Sequence, residues 1–118
     1  MTLRLLEVAE GNKEVVGFKN LTIEHIVPQT LTSAWEQMLG LDFVSVHTQY
    51  LHAIGNLTLT GYNPTLSNAD FPTKQAIYAT SNVTLNSYFA PLMQWTETEI
   101  MQRVDYLAAQ AARIWEQP

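Results

Sequence analysis

Two stretches of the chain, IEHIVPQ at residues 23–29 and GNLTLTGYN at residues 55–63, carry side-chain types that together could do hydrolytic chemistry. In the first, Glu24 and His25 stand side by side ahead of Pro28, in a chain with only three histidines. An imidazole with an ordinary pKa of about 6.5 can be neutral at working pH and accept a proton from water. A positioned base of this kind is worth about 10²–10⁴ in rate. Carboxylate and amide oxygens, such as that of Glu24, are hard donors of the kind that suits Mg²⁺ or Mn²⁺, ions that keep several waters and need few protein ligands. Adjacent strand residues point to opposite faces. Glu24 and His25 can therefore serve one site only where the chain bends, and Pro28 makes a bend there plausible. On position alone, His25 is as readily a buried structural histidine that shares a face with Leu21 and Ile23.

These residues need elements to carry them. Phe18 to Ile26 alternates, with Leu21, Ile23 and His25 on one face and Asn20, Thr22 and Glu24 on the other, which predicts a strand. Leu57 and Leu59 alternate against Asn56, Thr58 and Thr60 and predict a second. Between them, Thr32 to Leu39 reads as a helix with Trp35 and Leu39 on one side and Gly40 as its stop, and residues 43–52 as another. Asn63-Pro64 predicts a helix start, since asparagine caps free amides and proline at the first helical position loses nothing. Pro72 breaks or restarts that helix, and Lys74 to Ala79 continue it. Residues 2–10 read as a short helix stopped at Gly11-Asn12. Thr96 and Glu99 spell a capping box, with Trp95 and Ile100 as the staple around it. Ile100, Val104, Leu107, Ala108, Ala111 and Ile114 then form an apolar stripe, which marks scaffold. Trp35, Tyr62, Phe71, Tyr78 and Trp115 read most simply as core.

At 118 residues, 47% hydrophobic and 14% charged, the chain is long enough for one core and ordered in composition, so a single domain over residues 1–118 is expected. No apolar run approaches a membrane span, and no secretory signal opens the chain, so a cytoplasmic setting is expected. With no cysteine, disulfides and thiolate zinc sites are excluded. His47 and His52 are five apart, wrong for two ligands on one helical face, and His47 reads as a surface residue. The net charge is −5, and the six basic residues (Arg4, Lys13, Lys19, Lys74, Arg103, Arg113) are scattered. Such a chain does not by itself grip nucleic acid through phosphate neutralisation. Either nucleic acid is not its substrate or something outside the chain supplies the grip.

Strand, short helices, strand, then a helix opening near Asn63: this order resembles the ββα-metal fold, in which a hairpin and a helix hold one divalent cation. At the marked positions, EHIVPQ and GNLTLTGYN are similar to the two blocks of the HNH (His-Me finger) nucleases. More closely, IEHIVPQT, HAIGNLTLTGYNPTLSNADFPTK and the closing W-x4-I-x2-R…IW resemble the C-terminal nuclease domain of GmrSD-type modification-dependent restriction enzymes, from about Leu21 to the end. The resemblance implies an α+β fold, mainly helical around a ββα-metal core at about residues 18–80, with a helix at about 96–116 packed on it. It also implies a fragment of a longer protein.

The function so implied is hydrolysis of DNA phosphodiesters with one Mg²⁺ or Mn²⁺ ion, nicking one strand to leave 5′-phosphate and 3′-hydroxyl ends. His25 would be the base. Glu24 and Asn63 would bind metal, with Asn68 as the substitute ligand; many relatives carry Asp where this chain has Glu24. Asn56 matches the middle residue of the HNH triad, where the amide bridges the loop after the first strand and orients the histidine. On the substrate side, Lys74 would contact a phosphate oxygen or else lie on a solvated helix face, and His52 would be a backup ligand or structural. The partners implied are DNA and an N-terminal nucleotide-hydrolysing domain that recognises modified foreign DNA in a bacterium. Two other readings stay open: an inactive HNH-like module that contacts DNA or holds an assembly, and RNA cleavage by the same site.

Overall fold

The computed structural model describes residues 21–61 and 64–116, with side chains described to residue 113. Strands β1 (Leu21–His25) and β2 (Leu57–Gly61) pair antiparallel, with Leu21 opposite Gly61, Ile23 opposite Leu59 and His25 opposite Leu57. Two strands alone are marginal in water, so the helices around them must complete the core. The connection between the strands carries α1 (Ser33–Leu39), α2 (Phe43–Tyr50) and a 3₁₀ turn at Ile54–Asn56. Thr32 caps α1 by accepting from the Trp35 amide at 3.4 Å. Gly40 ends it at φ 87°, a left-handed conformation that suits glycine.

After β2 the chain departs from the sequence expectation. Residues 64–68 run through turns, and α3 (Phe71–Ala79) begins at Phe71, capped by Asp70, which accepts from the Thr73 amide at 3.0 Å. Pro72 therefore sits in a first turn, where a missing N–H costs nothing, instead of interrupting a longer helix. The Asn-Pro pair is as good a turn signal as a helix start. Asn63 and Tyr62 lie outside the described residues, as do the expected helix at 2–10, the strand residues 18–20 and the side chain of Trp115.

A 3₁₀ segment at Thr84–Phe89 leads to α4 (Glu97–Glu116). The Thr96 amide donates to Glu99 Oε1 at 2.9 Å, and the Thr96 hydroxyl meets the same oxygen. Trp95 and Ile100 are fully buried in one cluster, as a staple requires. Along α4 the buried stripe is Ile100, Arg103, Leu107 and Ala111, while Val104 is half-buried and Ala108 exposed. Among the described side chains the expected stripe loses Ala108 and gains Arg103, which the i, i+3, i+4 spacing carries inside; the side chain of Ile114 lies outside the described residues. The helix crosses the 3₁₀ turn closely. A Cβ on Gly55 would stand 2.2 Å from the Ile100 carbonyl oxygen, so only glycine fits there.

The architecture is α+β. One cluster joins Ile26 and Val27, just past β1, to Trp35, Phe71, Tyr78, Phe89, Trp95 and Ile100; a second joins Leu59 of β2 to Val83, Leu85 and Leu107. The face shared by Leu21, Ile23 and His25 is not buried along its length, since Ile23 is 61% exposed. In β2 both faces are covered, and Thr58 is accommodated because its hydroxyl meets Asn86 Oδ1 while Asn86 Nδ2 donates to the Leu59 carbonyl at 3.0 Å. No helix among the described residues is long and apolar enough to cross a membrane.

Candidate active site at the end of the hairpin

β1 ends at His25, and the chain bends through Ile26 and Val27 ahead of Pro28. Asn56 holds that bend. Its Oδ1 accepts from the Val27 amide at 2.9 Å and from Trp95 Nε1 at 3.0 Å. Its Nδ2 donates to the carbonyls of Val27 at 3.2 Å and Leu51 at 3.0 Å. The Asn56 carbonyl also accepts from the Ile26 amide at 3.0 Å. A carboxamide offers two N–H donors and an acceptor oxygen together, and here both functions are used with the side chain fully buried. Farther along the same loop, His47 lies within 2.9 Å of the Pro28 carbonyl through Nε2 and is half-buried. That corrects the expectation of a surface histidine: α2 turns it onto the loop.

Helix α3 reaches the same point from another side. Lys74 and Tyr78, one turn apart, both face the hairpin and are buried. Lys74 Nζ donates to Glu24 Oε2 and to the His25 main-chain carbonyl, each at 2.8 Å, and the Tyr78 hydroxyl donates to Glu24 Oε2 at 2.8 Å. Burial pulls the Lys74 pKa below the ordinary lysine value, and the Glu24 charge partly offsets this. Burial, then the Glu24 charge, pushes the Tyr78 phenol well above its usual value, so it stays a donor. Lys74 had been expected at a phosphate or on a solvated face. It is fully buried and turned inward, because an α3 face packed on the hairpin can admit an ammonium only where a carboxylate compensates it. Tyr78, expected as plain core, is also a site hydrogen-bond donor; its i+4 spacing from Lys74 was the only hint in the sequence.

His25 is half-buried, and its Nε2 lies 3.1 Å from Nδ1 of the exposed His52. The rings meet edge to face, with centroids 5.1 Å apart. Burial lowers the His25 pKa first, the His52 and Lys74 charges lower it further, and Glu24 opposes them. Glu24 and His25 both line a cleft of about 280 Å³, together with Ile23, Pro28, Ser67 and Asn68. Asn68 is exposed there, its Oδ1 accepting from the Ser67 hydroxyl at 2.7 Å. His25, Glu24 and Asn68 thus share one opening; Asn56, Lys74 and His52 stand around it, and Asn63 lies outside the described residues.

The donor chemistry of this cleft suits a hard cation. It offers a carboxylate and amide and hydroxyl oxygens in an open space, as a Mg²⁺-like ion that keeps several waters requires. Among the described residues no three His, Cys, Asp or Glu side chains converge, so such an ion would have few protein ligands. Of the basic side chains described, Lys74 and Arg103 are buried, which leaves Arg113 exposed.

No curated relative matches the chain. The family model described as GmrSD restriction endonucleases, C-terminal domain, matches residues 2–110, a span that takes in both strands, the Asn56 bridge and α3. This chain belongs to that family, as a nuclease module of the restriction-endonuclease kind.

Proposed function

We propose that the domain hydrolyses DNA phosphodiesters at the cleft, with His25 as general base. The observation that carries this reading is the opening of His25 and Glu24, neighbours in sequence, into one polar cleft beside Asn68. For His25 Nδ1 to take a proton from water, Nε2 must carry hydrogen and donate to His52 Nδ1, which fits their 3.1 Å separation. His52 then holds the tautomer, and the same bond persists once His25 is protonated. Asn56 fixes the bend immediately after His25, which helps hold the ring in place before reaction. Glu24 and Asn63, with Asn68 as substitute, would hold one Mg²⁺ or Mn²⁺ ion. When bound, such an ion supplies Lewis-acid stabilisation of charge growing on the phosphate and the leaving oxygen.

The expected products are nicked strands with 5′-phosphate and 3′-hydroxyl ends, and recognition of modified DNA falls to a nucleotide-hydrolysing domain in the longer protein. That division of labour suits an acidic chain whose described residues expose little basic charge. The test is a plasmid-nicking assay with Mg²⁺ or Mn²⁺ comparing the chain with His25→Ala. A loss of about 10²–10⁴ in rate is expected. Equal background in both proteins would assign the domain to the non-catalytic reading, an inert DNA-contact or assembly unit. That reading draws support from the Lys74 ammonium, which already neutralises Glu24. Single-stranded RNA in the same assay tests RNA cleavage.

A further inference from the structure

We propose that Lys74 is the positioning residue that brings Glu24 and His25 to one side of the chain, and that Tyr78 assists it; the inference rests on the hydrolytic reading above. Side chains at successive strand positions leave opposite faces, so a site built on residues 24 and 25 needs a device that overrides the alternation. The ammonium of Lys74 supplies one. It stands 2.8 Å from the Glu24 carboxylate and 2.8 Å from the His25 main-chain oxygen, spanning the two residues where β1 ends. One bond sets the carboxylate, and the other sets the peptide plane that launches the chain into the bend.

Tyr78 completes the grip by donating to the same Oε2 at 2.8 Å. Lys74 is fully buried and Glu24 retains 12% side-chain exposure, so the ammonium faces the carboxylate and the carboxylate faces the opening. A buried ammonium cannot meet a phosphate; its work is done through Glu24 and His25. Lysine fits this place better than arginine would, because a compact group with tetrahedrally arranged donors can serve a side chain and a carbonyl at once, whereas a planar fork favours one flat partner.

The test compares Lys74→Met and Tyr78→Phe with the wild-type 118-residue chain, once circular dichroism shows each variant folded. Two readings are taken: kcat and KM for plasmid nicking, and the imidazole ¹H–¹⁵N resonances of His25 and His52. Lys74→Met is expected to lose about 10- to 100-fold in kcat, the scale of misplacement by about an ångström. KM should stay near the wild-type value, and the His25 resonances should move. Tyr78→Phe is expected to lose less, in the same parameter. A raised KM with unchanged kcat would reassign Lys74 to DNA contact and overturn the proposal, as would unchanged kcat and resonances. Where Lys74→Met does not fold, Tyr78→Phe decides: unchanged kcat and resonances overturn the proposal. Wild-type nicking no stronger than that of His25→Ala removes the hydrolytic reading and this inference with it, whereas an active wild type with an equally active Lys74→Met sinks this inference alone.

Discussion

Lys74 and Arg103 are both cations with no exposure to solvent, and both donate to main-chain carbonyls of the hairpin. Their surroundings differ. Lys74, from α3, binds the end of β1 and has a carboxylate partner in Glu24. Arg103, from α4, binds the approach to β2 at the Gly55 and Leu57 carbonyls. Its guanidinium lies 4.8 Å from the Phe89 ring centroid and 5.5 Å from that of Tyr88, and its Nε and Nη2 find no partner among the described residues. Burial pulls its pKa down to about 10, still charged at any working pH. Carbonyl dipoles and ring faces are partners enough for a delocalised guanidinium, which is less strongly hydrated than an ammonium. One buried cation is matched to the Glu24 carboxylate at the cleft; the other ties scaffold to scaffold. Between the two, Asn56 fixes the loop.

Truncating the scaffold cation should do the most damage. Arg103→Ala empties a buried volume and strands two carbonyls, an expected loss of about 3–5 kcal/mol in urea denaturation. A loss below about 1 kcal/mol would mean that the carbonyl bonds carry little of the fold. At the other cation the damage should divide. Lys74→Met leaves a largely buried carboxylate without its charge partner, and adding Glu24→Gln should restore about 1–3 kcal/mol of stability without restoring nicking. Recovery of activity in the double variant would remove Glu24 from the chemistry.

A smaller effect is expected in the pH dependence. The His25 pKa lies below the ordinary value near 6.5, so the unfolded chain binds more protons at that pH and stability should fall as pH drops through 6.5. On the proposed mechanism the acid limb of the nicking profile should likewise lie below pH 6.5, since the neutral imidazole would be the base. His52 Nδ1 lies 3.1 Å from His25 Nε2 and is among the groups that set that pKa, so His52→Ala should move the limb. An unmoved limb would separate His52 from His25. Least of all should follow from Ala108→Ser on the exposed side of α4: within about 0.5 kcal/mol of wild type in thermal melts.

The elements were readable wherever the signal was local. Alternation announced β1 and β2, Thr32 and Gly40 bounded α1, and Thr96 with Glu99 opened α4. The EH-x-x-P and GNLTLT blocks mark Glu24, His25 and Asn56 in the sequence itself. Local signals failed where two structures share one signal. Asn63-Pro64 suits a turn as well as a helix start, so the start of α3 fell at Phe71, where Pro72 restarts the helix, one of its two expected readings.

What the residue order determined by itself was period and punctuation, because hydrophobic spacing and capping act over a turn of helix or a few strand positions. Which polar groups lie inside was decided only by the folded chain. Lys74 meets Glu24 across fifty residues and Arg103 meets Gly55 across forty-eight. A charge can be buried only where a matching group arrives from elsewhere, and nothing in the spacing around Lys74 or Arg103 records who that partner is.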